Sequence, residues 1–169
     1  MNKKIKKLIA FTTMIGGTMF TVNKLIDYLS GYCELRLNKN DNEEGEQSMF
    51  SYQWRNGTIF FQKKGSGSPL LLIHDLNPIS SSYEWNQIID ELSKSHTVYT
   101  IDLLGCEKSE KPSFTYVNYI YVQLINDFIQ NIIQEKTGLV VTGESFSFAV
   151  MAARMNHEKI GKITAINPT

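Results

Sequence analysis

Residues 139–156 read LVVTGESFSFAVMAARMN, and this stretch decides the fold. Leu139-Val-Val-Thr142 is a short apolar, β-branched run suited to a strand buried on both faces of a sheet. Gly143-Glu-Ser145-Phe-Ser147 follows at once with small residues, and a helix is predicted over Phe146–Asn156. Working outward, Leu70-Leu-Leu-Ile-His74, Thr97-Val-Tyr-Thr-Ile-Asp102 and Ile160–Asn167 read as further strands. Trp85–Leu92 carries helical spacing (Trp85, Ile88, Ile89, Leu92), and about Tyr116–Gln134 is a long amphipathic helix. Upstream, Asn56-Gly57 between two β-prone runs predicts a hairpin with a type I′ turn, which needs two positive φ values. Strands alternating with helices give an α/β class: a mostly parallel sheet with flanking helices.

The chain has 169 residues, 42% hydrophobic and 20% charged, which suits one globular domain rather than a disordered chain. Lys+Arg and Asp+Glu both number 17, so no basic surplus marks a nucleic-acid binder. Two cysteines, Cys33 and Cys106, make neither a disulfide framework nor a zinc site, and the three histidines show no ligand spacing. No metal and no cofactor is expected. Residues 1–7 carry Lys3, Lys4, Lys6 and Lys7 without an acid, and the next 15 residues, Leu8–Val22, are uncharged. That is the layout of an export signal or an N-terminal anchor. With no small-x-small cleavage site after it, residues 1–30 are read as an uncleaved membrane helix, lysines inside and domain outside the cytoplasm. The alternative is an amphipathic or buried first helix. The polar stretch NKNDNEEGEQS (38–48) marks a linker, taken as residues 31–49, and the folded domain is expected from Phe50 to Thr169.

Gly143-Glu-Ser145-Phe-Ser147 lies where a G-x-S-x-G nucleophile elbow would lie, between a strand and a helix. Such a turn exposes the serine hydroxyl, and the helix N-terminus and nearby N–H groups stabilise a developing oxyanion. Ser145 as an ordinary helix N-cap is the alternative.

Three blocks together resemble the α/β-hydrolase family over most of residues 50–169. LLLIHDLNPISSSYEW is similar to the family's strand ending in His-Gly and its oxyanion loop, and DLLGCEKSEKP to the D-x-x-G-x-G-x-S block of haloalkane dehalogenase-like and epoxide hydrolase-like members. TGESFS is the third. The resemblance implies Ser145 as nucleophile, the N–H groups of Leu76 and Phe146 as oxyanion donors, and His74 as a structural residue shaping the loop. It also implies a small ester-like substrate. Two departures stand out. Asp75 replaces the glycine after the histidine, where an unpaired carboxylate would oppose an anionic transition state, and Glu107 replaces the second glycine of the middle block. A serine nucleophile favours acyl transfer over dehalogenase or epoxide hydrolase chemistry.

A serine needs a base and an orienting acid, which the family places after the nucleophile. His157 lies at the far end of the helix from Ser145, about 15 Å away at ~1.5 Å per residue, and His96 precedes a strand at the opposite sheet end. Neither serves. The expectation is therefore a serine esterase-like hydrolase represented by an incomplete chain that lacks the catalytic acid and histidine. The alternative is a non-catalytic scaffold with the same fold. A nucleotide-binding domain is disfavoured, since no glycine-rich phosphate loop follows any strand.

Overall fold

A computed structural model describes residues 48–77 and 79–169, so the expected anchor (1–30) and all but the last two residues of the expected linker lie outside the described residues. Strand β1 (Ser48–Trp54) starts just ahead of the expected domain boundary at Phe50. It forms a hairpin with β2 (Gly57–Lys64), pairing Trp54 with Gly57 across Arg55-Asn56. The hairpin is where the sequence predicts it, but the turn differs from the expected type I′. Gly57 has a positive φ (+142) and Asn56 does not, so the glycine enters the second strand rather than occupying the loop.

The remaining strands are β3 (Ser68–Ile73), β4 (His96–Ile101), β5 (Thr137–Gly143) and β6 (Ile160–Pro168). The sheet order is β1-β2-β4-β3-β5-β6. β4, β3, β5 and β6 run parallel, and β2 joins β4 antiparallel. A single-turn 3₁₀ helix (Ser82–Trp85) leads into α1 (Asn86–Leu92). Helix α2 (Asn118–Phe128) runs on into a π-helical turn (Ile129–Ile133) closed by Gln134 at φ +65. Helix α3 spans Ser145–Met155.

The apolar run 70–73 explains the layers. Leu72, with Leu70 beside it, meets Trp85, Ile89 and Val98 on the α1 face. Leu71 and Ile73 alternate to the other face and are fully buried, as period-two geometry requires. There α2 and α3 pack together against the sheet. Phe128 of α2 sits edge-on to Phe61, Tyr52 and Tyr99, with centroids 5.1, 6.1 and 6.3 Å away. The neighbouring Asp127 accepts the Trp54 indole N–H at 2.8 Å and pairs with Arg55, which fixes the hairpin to α2.

The crossover from β3 runs to β4 on one side of it, and the next runs from β4 back past β3 to β5 on the other side. The carboxyl ends of β3 and β5 therefore flank a topological switch point, where open α/β sheets hold their ligands. Among the described residues no helix is long and apolar enough to cross a membrane.

Candidate active site

His74 follows β3 directly and is fully buried. Its Nε2 accepts the Leu103 N–H at 2.9 Å, which leaves Nδ1 protonated to donate to the Asp75 carbonyl at 2.6 Å. Burial holds its pKa below the usual 6.5, against the smaller opposing pull of that carbonyl and of Asp102, Glu84 and Asp75. The imidazole is thus neutral, with both nitrogens engaged by the backbone. Its place is structural, and it has no nitrogen left to take a proton from a hydroxyl.

The loop after β4 is held by Asp102, also fully buried. Its carboxylate accepts the N–H groups of Ser82 (2.8 Å) and Lys108 (3.3 Å). Its carbonyl accepts the Ser109 hydroxyl at 2.5 Å, and Ser109 in turn accepts the Phe60 N–H at 2.9 Å. Glu107 lies in this loop at φ +32, a left-handed value that explains why a glycine would suit the position. Between this loop and the one after β3 lies a cleft of about 310 Å³, lined by Ser81, Tyr83, Asp102, Glu107 and Lys108 among others. Neither Ser145 nor Asp75 lines it.

At the end of β5 the chain turns sharply into α3. The left-handed residue of this turn is Gly143 (φ +53), not Ser145. Ser145 opens α3, is fully buried, and donates its hydroxyl to the His74 carbonyl at 2.6 Å. Ser147 donates its own hydroxyl to the Glu144 carbonyl at 2.9 Å. The sequence therefore brings Ser145, His74 and Gly143 together at the switch point, although Ser145 meets the histidine through its main chain.

Asp75 completes the arrangement. Its Oδ1 accepts the N–H groups of Leu76 and Glu144, both at 2.8 Å, and its Oδ2 accepts the Asn77 side-chain amide at 3.0 Å. Burial pushes its pKa up, but the hydrogen bonds from Asn77, Glu144 and Leu76 outweigh it and hold the carboxyl below the usual 3.8. A Cβ on Gly143 would overlap this carboxylate. Of the two donors implied by resemblance, Leu76 thus points its N–H at Asp75, and the N–H converging with it belongs to Glu144. Phe146 lies two residues further on, within the first turn of α3. Sequence reasoning missed Glu144 and Asn77, and neither carries a motif signal.

His157 lies exposed beyond α3, at the end remote from Ser145. His96 opens β4 at the opposite end of the sheet, with Nδ1 2.8 Å from the Ser95 hydroxyl. Among the described residues no imidazole is placed to act as base for Ser145.

The strand order, the switch point and the strand–turn–helix at Ser145 define an α/β-hydrolase fold. Comparison with known proteins agrees. The chain is 28% identical over 99 residues to a soluble epoxide hydrolase of Corynebacterium sp. (strain C12), covering 59% of this chain and 34% of that enzyme. A haloalkane dehalogenase of Agrobacterium tumefaciens C58 superposes with a TM-score of 0.67 at 20% identity, covering 72% of this chain and 41% of that one. A serine hydrolase involved in carbazole degradation superposes with a TM-score of 0.69 at 19% identity, covering 73% and 49%. No protein-family model matches. The chain spans about a third of the length of the curated relative and under half of these solved chains.

The packing of Asp75 against Gly143 predicts strong coupling. Gly143→Ala should destabilise the protein by more than about 2 kcal/mol, combining left-handed strain with the carboxylate clash. In an Asp75→Ala background the same change should cost only about 1 kcal/mol. Urea denaturation of the four proteins measures the difference, and additive effects would contradict the packing.

Proposed function

We propose that this protein is a hydrolase that cleaves a small ester-like substrate through an acyl intermediate on Ser145. The observation that carries this reading is the position of Ser145. It lies at the carboxyl end of β5, beside the loop after β3, at the switch point of the sheet. Hydrolase relatives support the general class. In this mechanism the Ser145 hydroxyl leaves the His74 carbonyl, loses its proton to a base and attacks the substrate carbonyl. Backbone N–H groups at the turn hold the oxyanion, and collapse of the tetrahedral intermediate expels the alcohol. Water then hydrolyses the acyl-serine. The base and its orienting acid come from outside residues 48–169 in this reading, because His74, His96 and His157 are all misplaced for the task.

A second reading, a non-catalytic scaffold, is favoured by one specific observation: the Ser145 hydroxyl is buried and already bonded to a carbonyl. A fluorophosphonate probe separates the two. Covalent labelling of the full chain at Ser145, lost in Ser145→Ala, is the expected result. A folded full chain that takes up no probe supports the scaffold instead.

The proposal also takes residues 1–30 as a membrane anchor with the domain outside the cytoplasm, supported by the four early lysines and the uncharged run Leu8–Val22. The full chain should then sediment with membranes through an alkaline wash, while a chain lacking residues 1–30 stays in the supernatant. Identical behaviour of the two would contradict the anchor.

A further inference from the structure

Leu76 and Glu144 aim their N–H groups at one point from opposite sides of the switch point. Two converging main-chain donors at the N-terminal end of an eleven-residue helix make a pocket for an anionic oxygen. That point is already filled by Oδ1 of Asp75, and Asn77 grips the other oxygen. Space for the carboxylate exists because residue 143 is glycine; any side chain there would strike the Asp75 carboxyl group. The hydrogen bonds and the missing side chain are independent features of the turn, and both fit a carboxylate in residence. Charge-assisted hydrogen bonds of this kind are roughly twice as strong as neutral ones. The occupant is also tethered one residue from a donor, so an external anion must compete against an intramolecular one.

We infer that the Leu76 and Glu144 N–H groups form a carboxylate-binding site which the chain keeps shut with its own Asp75. The resemblance gives the Leu76 N–H as an oxyanion donor, and Asp75 already holds that N–H, so Asp75 must swing out before Leu76 can stabilise an oxyanion on a substrate. Asp75 is only partly buried, which leaves it a path into solvent. Self-occupancy stands on the geometry alone; its meaning as a brake on catalysis rests on the Ser145 reading above.

The test is an acetate titration of the ¹⁵N-labelled full chain, read at the Leu76 and Glu144 amides. Asp75→Ala and Asp75→Gly should each show saturable shifts at both amides, with an affinity at least tenfold above that of the unchanged protein. Glu158→Gln, which removes an exposed charge beyond the far end of α3, should behave like the unchanged protein. Fluorophosphonate labelling of the same proteins supplies the second readout, with an expected rise of at least tenfold in the Asp75 variants. Acetate binding gained without labelling in any form keeps the self-occupied site and defeats the serine chemistry. If both Asp75 variants keep the native circular dichroism yet bind no acetate, or if the unchanged protein binds it equally well, the inference is overturned.

Discussion

His74 holds the carboxyl end of the sheet together. It stands at the end of β3 and accepts the Leu103 N–H from the loop after β4, while its carbonyl takes the Ser145 hydroxyl from the helix after β5. Three chain segments distant in sequence are fixed by one buried residue. An imidazole buried without partners would cost several kcal/mol. With both nitrogens paired, the cost is offset and the residue becomes a rigid node. Removing it would strand the Leu103 N–H in the interior, a loss of about 1–3 kcal/mol before any packing is counted.

Asp75 depends on this node. Asp75 follows His74 directly, and its carboxylate enters the space left by Gly143. There it finds two main-chain donors and a side-chain amide. The arrangement resolves an apparent conflict. A negative charge beside this loop is unfavourable when unpaired, but this one is paired with the Leu76 and Glu144 N–H groups and the Asn77 amide.

Much of the fold was legible in the sequence because burial on both faces leaves an obvious mark. Leu70–Ile73, Val98–Ile101 and Leu139–Val141 are apolar runs, and each is a parallel strand. Helix spacing placed α1 and α2 well, except that α2 starts at Asn118 and finishes in a π-helical turn, a local adjustment with no period of its own. The hairpin was visible in Asn56-Gly57, but its turn type was not, since pairing Trp54 with Gly57 moves the loop back by one residue. In the candidate site, the pattern of small residues put Ser145 at the strand–helix junction. It did not say which residue bends the chain. That follows from the approach of Asp75 to Gly143, a through-space contact between residues far apart in sequence. For the same reason the Glu144 N–H left no trace in the motif, because every residue but proline has one.

The Asp75 carboxylate sits between the Leu76 and Glu144 amides, and the rest of the turn is built around that placement. The most direct measurement is an acid titration of the full chain followed at those two amide protons. If the carboxylate is there, both protons should shift together with a single midpoint below 3.8, the ordinary carboxylate value, as protonation of Asp75 weakens both hydrogen bonds. Amides that do not respond, or that follow different midpoints, would show that the donors are not shared and would contradict the account.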